Sequence, residues 1–522
     1  MVSTIVSILT YINVYNVPNV VGRLVVQLEL DRASRRPLYL QVVDQIKERI
    51  RSGSLPAGTR LPPVRQVAHD LGLTRLTVHN AYAELQADGW IESFVGRGSF
   101  VAARPASTID HGDPLLTAPT SVRRPGELAD LLQLSQQPEI ISFAQASPAA
   151  ETFPLREFGR AVQQAITTHD GAALYGYGTS QGDPLLRDQL AVYLLERAVQ
   201  ARPEQIVVVG GAQQGIDLVL RALVQPGETV LVEHPTYLGI IERSEMQAVA
   251  LHGVPMDAEG IRLDALERAI LLHRPRLLYM VPTYHNPTGS TMSPDRQEAL
   301  LALAARHGLL ILEDDIYGAL PLDGQAPLPL KARDRAGSVI YLSSFSKVLM
   351  PGLRIGMLVP PPHLLDALIA AKRLADLQSP QLTQRALALY LRDVHWGAHL
   401  RTVRALYRER RDVMLTHLRR NFPGEVRWTR PAGGLSLWVE LPPGVRAMDL
   451  YLDAIERGVA FAPGEAFFAE PPATSYFRLS YGPQPADLIV KGIGILSELV
   501  HEHVTRSRRV RPAAVHAVVP MV

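Results

Sequence analysis

The chain has no cysteine among its 522 residues. That excludes disulfides and thiolate metal sites, and it suits a reducing cytoplasm. No metal site is expected. Net charge is also small: 53 Lys and Arg against 51 Asp and Glu leave +2. So even a balance argues neither for nor against nucleic acid, and the local distribution has to decide. Residues 1–22 carry no charged side chain, yet Asn13, Asn16, Pro18 and Asn19 interrupt them. A secretory signal needs a basic start and a cleaner apolar run, and a spanning helix needs about 20 predominantly apolar residues. Residues 1–29 are therefore expected to be an upstream extension, and no membrane partner is expected. There is no internal repeat.

What is present suffices for a large core. Hydrophobic residues make up 47% and charged residues 20%, which fits a globular protein, and the length predicts two or three domains. Residues 30–104 hold eleven Lys and Arg against seven Asp and Glu, a local basic excess. Residues 105–135 carry Pro105, Pro114, Pro119 and Pro125 among small and polar residues and read as a linker. From 136 to 500 short β-branched runs (Ile206–Val209, Thr229–Val232, Leu277–Val281, Leu309–Leu312) alternate with amphipathic helical stretches. That pattern predicts an α/β domain with a mostly parallel sheet. Residues 501–522, with Arg506, Arg508, Arg509 and Arg511, are expected to form a solvated basic tail.

In residues 30–104, apolar spacing predicts a helix from Leu38 to about Ser52 with Leu40, Val43, Ile46 and Ile50 inward. A short helix from Pro63 to Leu71 ends at Gly72, and Thr74 caps a third helix carrying Val78, Ala81, Tyr82 and Leu85. Trp90–Phe94 and Ser99–Ala102 flank a Gly-rich turn, which predicts a β-wing. Helix, turn, helix and wing make a winged helix-turn-helix, whose third helix lies in the DNA major groove. Arg75, Leu76, His79 and Asn80 face outward there. Arg75 suits guanine or phosphate, Asn80 suits adenine, and Arg97 at the wing tip suits a minor groove or phosphate. The run Leu61-Pro62-Pro63-Val64-Arg65-Gln66-Val67-Ala68, then Gly72–Val78, Gly89-Trp90-Ile91 and Gly96-Arg97-Gly98-Ser99-Phe100-Val101, resembles the GntR family. The resemblance implies double-stranded operator DNA as partner, contacted by Arg65, Arg75, Thr77, His79, Asn80, Gly96 and Arg97. His79 departs from the basic residue often found there.

The second half centres on Tyr341–Gly356, where an apolar strand delivers Lys347 into a turn with Ser344 and Ser346, and Arg354 follows. A lysine so placed suits a Schiff base with an aldehyde cofactor whose phosphate sits nearby. The stretch resembles the lysine motif of fold-type I pyridoxal phosphate (PLP) enzymes of the aminotransferase class. Gly211-Ala212-Gln213-Gln214-Gly215 opens a helix after a strand, where backbone N–H groups suit a phosphate. Glu233-His234-Pro235-Thr236-Tyr237, Pro282–Gly289 and Glu313–Tyr317 extend the resemblance. It implies that Tyr237 stacks on the pyridine ring and that Asn286 and Tyr317 bond its phenolic oxygen. Asp314 would hold the ring nitrogen protonated, and Gly211, Ala212, Gln213, Ser344, Ser346 and Arg354 would hold the phosphate. Asp315 competes with Asp314 for that role, but strand alternation sends the two opposite ways, so only one serves. Arg478, in Tyr476–Tyr481, would bind a ligand carboxylate together with Asn286. Tyr175 would reach the partner subunit's cofactor in a homodimer, with Tyr177 as the other register.

A GntR-type winged helix joined to an aminotransferase-like domain resembles the MocR-type regulators. The fold class implied is multi-domain: an α+β winged helix, then an α/β fold-type I aminotransferase fold with a large domain and a smaller C-terminal α/β domain. The implied function is a cytoplasmic, PLP-dependent transcriptional regulator. An amino acid or amine displaces Lys347 as an external aldimine and alters operator binding, with residual transaminase activity. The alternative is a working aminotransferase of aminoadipate or aromatic type carrying an appended winged helix. In it Lys347, Asp314 and Tyr317 are catalytic, and Lys347 moves the α-proton.

Overall fold

The computed structural model describes residues 30, 37–51, 54–56, 58–87, 89–94, 98–102, 137, 139–168, 174–392 and 395–510. The extension 1–29, the wing tip with Gly96 and Arg97, the linker 105–135 and residues 511–522 lie outside the described residues. Contacts divide the chain into two compact units, Met1–Val122 and Arg123–Val522.

In the first unit α1 (Leu38–Arg51), α2 (Val64–Leu71) and α3 (Arg75–Ala87) precede β1 (Ile91–Phe94) and β2 (Gly98–Val101), which pair antiparallel. Val42, Val43, Ile46, Val67, Ala68, Val78, Ala81 and Leu85 form its core. Leu40 and Ile50, expected inward, are half-buried, and Val42 takes the inner position. Gly72 stops α2 in a left-handed turn at φ 60°, which lacks the Cβ cost of other residues. Thr74 Oγ1 accepts the Thr77 N–H at 3.1 Å and starts α3. The Tyr82 hydroxyl donates to Pro62 O at 2.8 Å and ties α3 to the turn before α2.

The second unit begins with β3 (Ile141–Ser142), α4 (Leu155–Thr167), α5 (Pro184–Leu195), β4 (Val207–Val209), α6 (Ala212–Leu223), β5 (Thr229–His234) and α7 (Leu238–Met246). It continues with β6 (Ala250–Asp257), β7 (Gly260–Ile261), α8 (Leu263–His273), β8 (Leu277–Met280), α9 (Pro294–His307), β9 (Leu310–Asp314) and α10 (Leu330–Arg333). β10 (Val339–Ser344), β11 (Gly356–Val359) and α11 (Leu365–Asp376) complete the large part. Its eight-stranded sheet runs β4-β11-β10-β9-β8-β5-β6-β7. Neighbours are parallel except at β11 and the short β7. The carboxyl ends of β4, β5, β8, β9 and β10 therefore share one edge, where open α/β sheets bind ligands.

Then come α12 (Gln381–Arg392), α13 (His395–Asn421), β12 (Arg427–Trp428), β13 (Ser436–Glu440), α14 (Ala447–Glu456), β14 (Val459–Ala460), β15 (Ala462–Pro463), β16 (Tyr476–Ser480) and α15 (Ala486–Val510). β12-β13-β16-β15 form an antiparallel sheet, and β3 pairs with β14. The basic tail expected from 501 begins later. Residues 501–510 continue α15, because the apolar stripe of Leu496, Leu499 and Val500 extends to buried Val504. No helix among the described residues is long and apolar enough to cross a membrane.

Candidate functional site

β4 runs into Gly210-Gly211, and α6 starts at Ala212. Gly211 sits at φ 103°, and a Cβ there would lie 3.0 Å from Arg354 Nη2. Only glycine allows both the turn and the close guanidinium. β11 presses on the same turn: a Cβ on Gly356 would lie 3.1 Å from Gly211 Cα and 2.7 Å from Ser343 O. Gly356 pairs with Ser344, whose hydroxyl donates to Ser346 Oγ at 2.9 Å. Glycine turn, helix N-terminus, two serines and Arg354 thus gather at one point. The first-turn N–H groups of Ala212 and Gln213 have no intrahelical acceptor. The arrangement suits a multiply charged anion such as a phosphate ester.

Lys347 lies just beyond. Its Nζ donates to Ala146 O at 2.8 Å. Burial, then the Arg478 cation, draws its ammonium down to about 8, and Asp314 opposes them. At the end of β9 the two aspartates diverge. Asp315 is held by Arg197 Nη2 at 3.0 Å and by the Tyr341 hydroxyl at 2.9 Å. Asp314 Oδ2 accepts the Tyr279 hydroxyl at 2.9 Å, while its buried Oδ1 has no partner. Burial pushes the Asp314 carboxyl up to about 7, against the hydrogen bonds from Tyr279 and the Ile316 N–H. The Tyr317 hydroxyl is also buried without a partner.

From the smaller sheet β16 brings Arg478, only 7% exposed. Its Nη1 donates to Asn286 Oδ1 at 2.7 Å and its Nη2 to Ala144 O. The guanidinium lies 4.8 Å from the centroid of the Phe467 ring, and its Nε has no partner. The Tyr237 hydroxyl donates to Gln213 Oε1 at 3.2 Å. Burial, then the Asp314 charge, pushes that hydroxyl up to about 12, with Arg478 and Arg354 opposing. Lys347, Asp314, Tyr237, Tyr317, Arg354 and Arg478 are thus within electrostatic reach of one another. Tyr175 and Tyr177 are not part of this cluster; they are 71% and 90% exposed.

Several residues beneath the cluster went unread in the sequence. Arg197 and Tyr341 fix Asp315, and Tyr279 fixes Asp314. His285 Nε2 lies 3.2 Å from Glu233 Oε2, and its Nδ1 lies 2.9 Å from Thr288 Oγ1, bracing the turn that carries Asn286. Tyr279 and Glu233 are polar interruptions of apolar strand runs, which was the available signal. Their partners lie on strands whose pairing the sequence does not state.

In the first unit Arg65 and Arg75 line a surface groove of about 640 Å³ with Gln66, Ala68, His69 and Leu73. His79 is exposed, and Asn80 and Thr77 are half-buried. The Thr77 hydroxyl lies 2.8 Å from that of Thr74, within the helix cap.

Residues 38–101 match the bacterial regulatory proteins of the gntR family, and residues 139–489 match aminotransferase class I and II. The probable rhizopine catabolism regulatory protein MocR of Rhizobium meliloti is 32% identical over 450 residues, 85% of this chain and 90% of that protein. The chain belongs to the MocR-type regulators of the GntR family. It is also 39% identical over 370 residues to the 2-aminoadipate transaminase of Thermus thermophilus, covering 70% of this chain and 91% of that one. The crystal structure of LysN, the alpha-aminoadipate aminotransferase of that organism complexed with N-(5'-phosphopyridoxyl)-L-leucine, superposes with a TM-score of 0.69 at 35% identity. That match covers 73% of this chain and 96% of the solved one. The second unit of this MocR-type chain thus has the fold-type I aminotransferase fold, and its cofactor is PLP. The residues present fit that group. The turn at Gly211 and Arg354 suits its phosphate, the bare Asp314 Oδ1 its ring nitrogen, and the unpartnered Tyr317 hydroxyl its ring oxygen.

Proposed function

We propose that this regulator–aminotransferase fusion is a cytoplasmic homodimer whose grip on an operator changes when an amino acid or amine occupies the PLP site. One observation carries the reading: a half-buried, amine-reactive Lys347 and a buried carboxylate-reading Arg478 share a site on the same chain as a winged helix.

PLP, when bound, supplies an aldehyde that condenses with amines and a ring that draws electrons from the attached carbon. The chain's residues do the rest. Lys347, drawn down to about 8, keeps a substantial neutral amine fraction near that pH and is suited to be a nucleophile. Asp314 offers its bare oxygen to the ring nitrogen and holds a proton there. Asn286 and Tyr317 orient the ring oxygen, Tyr237 covers the ring, and Gly211, Ala212, Gln213, Ser344, Ser346 and Arg354 hold the phosphate. Arg478 clasps the incoming carboxylate with its planar fork. The incoming amine takes the place of Lys347, and the freed lysine and newly anchored carboxylate favour a different closure of the second unit. Residues 105–135 carry that change to the winged helix. Arg65 contacts DNA, Arg75 serves guanine or phosphate, Arg97 a minor groove or phosphate, and Asn80 adenine. Coupling of this kind requires that the ligand bind two states of the protein unequally. Tyr175 serves the partner's cofactor. The exposed Leu185, Val192 and Leu195 on α5 support a second copy as neighbour.

The test is fluorescence anisotropy of PLP-loaded protein on a labelled fragment of its own upstream DNA, with and without a panel of amino acids. Specific binding that one amino acid alters is the expected result. Absence of specific binding at low and moderate salt moves the reading to a working aminotransferase. That second reading is favoured by an intact Lys347 whose pKa near 8 suits a base for the α-proton. Keto-acid production from the same panel tests it.

A further inference from the structure

Behind the phosphate cradle lies a chain of polar contacts that none of the roles above uses. The Gly210 N–H donates to Gln214 Oε1 at 2.6 Å. Gln214 Nε2 donates to Asp376 Oδ2 at 2.8 Å. Asp376, the last residue of α11, receives Lys372 Nζ at 2.5 Å on Oδ1 and 2.7 Å on Oδ2. The Lys372 side chain is fully buried, and that of Asp376 is 31% exposed. Burial lowers the pKa of Lys372, and the Asp376 carboxylate opposes that shift.

The polarity of the Gln214 amide follows from its neighbours. Gly210 N–H is only a donor, and the Asp376 carboxylate is only an acceptor. One orientation of the amide satisfies both. Without the carboxylate the amide is free to turn its NH₂ towards Gly210, donor against donor, and the turn loses its brace. Lys372 in turn holds both carboxylate oxygens in place. Its charge also offsets an anion that would otherwise oppose a phosphate nearby.

We propose that Asp376, locked by Lys372, is a positioning residue that acts through Gln214 on the Gly210-Gly211 turn and so sets the preference for phosphorylated over unphosphorylated pyridoxal. The inference rests on the PLP assignment and concerns only the phosphate end of the site. Pyridoxal keeps the ring and the aldehyde, so Lys347, Asp314 and Tyr317 can serve it equally.

The experiment uses the full chain stripped of cofactor. Affinities for PLP and for pyridoxal are measured by tryptophan fluorescence quenching. The expected result for Asp376→Ala is a loss of about tenfold for PLP, the size of one charge-assisted hydrogen bond, with pyridoxal within about twofold of wild type. Asp376→Asn keeps an acceptor for Gln214 and restores most of the ratio. Gln214→Ala cuts the link while leaving the Lys372–Asp376 pair intact, and it repeats the loss should Asp376→Ala fold poorly. Equal losses for both compounds, with a lowered Tm, would mean a merely structural role and overturn the proposal. An unchanged ratio in Asp376→Ala and Gln214→Ala, in a protein that prefers PLP, overturns this inference alone. Wild-type protein that binds neither compound overturns it together with the cofactor assignment.

Discussion

The Tyr279 hydroxyl donates to one oxygen of Asp314 at 2.9 Å and leaves the other, buried one without a partner. The bond selects the charged form of a carboxyl that burial pushes the other way. Tyr279→Phe removes the bond without changing the volume much. Its expected effect is a rise in Asp314 pKa and a loss of about tenfold in PLP affinity, from one hydrogen bond to a charged group. Titration of the bound cofactor's visible absorbance against pH is the check. An unshifted titration contradicts the role.

Asp314 also sets a pH dependence in the cofactor-free protein. An unfolded Asp titrates near 3.9, roughly, and the folded one is raised to about 7. The acid form is the one burial favours, so this contribution to stability is full below pH ~4 and is lost as pH rises through ~7. Thermal melts of stripped protein are expected to fall across that window. Asp314→Asn flattens the fall while weakening PLP binding.

Lys347→Ala separates the roles of the two units. It is expected to abolish the visible absorbance of covalently held cofactor and any response to amino acids, with DNA affinity kept. Absorbance spectra and anisotropy report the two effects. A response that survives in the mutant rules out the lysine-exchange mechanism.

Arg478→Gln tests recognition of the carboxylate. Amino acids are expected to lose at least about tenfold in apparent affinity, as for a lost charged hydrogen bond, while amines without a carboxylate keep theirs. Isothermal titration with matched pairs of ligands makes the comparison.

On the DNA side Arg65→Ala and Arg75→Ala are expected to weaken binding by roughly 1–3 kcal/mol each where the contact is to a base. A phosphate contact instead lowers the slope of log affinity against log salt by about one. Asn80→Ala is expected to relax sequence preference with little change in that slope. Binding isotherms at several salt concentrations distinguish these cases.

Much of this architecture was readable beforehand because its signals are local. Strand runs of β-branched residues, Gly72 after α2 and the Ser-Lys turn at 344–347 each state their conformation within a few residues. The alternation of β9 even required that Asp314 and Asp315 part ways. It did not say which one goes to the site. That choice is made by Arg197, far away in the chain, which draws Asp315 off. Tyr279, the Glu233–His285 contact and the Lys372–Asp376–Gln214 chain depend on pairings between distant elements, and periodicity carries no information about them. The end of α15 was misjudged for another reason: clustered arginines hid an apolar stripe that still reaches Val504.

Arg478 donates to the carbonyl of Ala144, and Lys347 to that of Ala146, on the stretch that follows β3. Phe143 alone stands between Ala144 and the two-residue strand Ile141–Ser142, which pairs with β14. Two side chains of the site thus hold main-chain oxygens just after β3. A carboxylate that pairs with Arg478, as proposed, shares it with Ala144 O, two residues beyond β3.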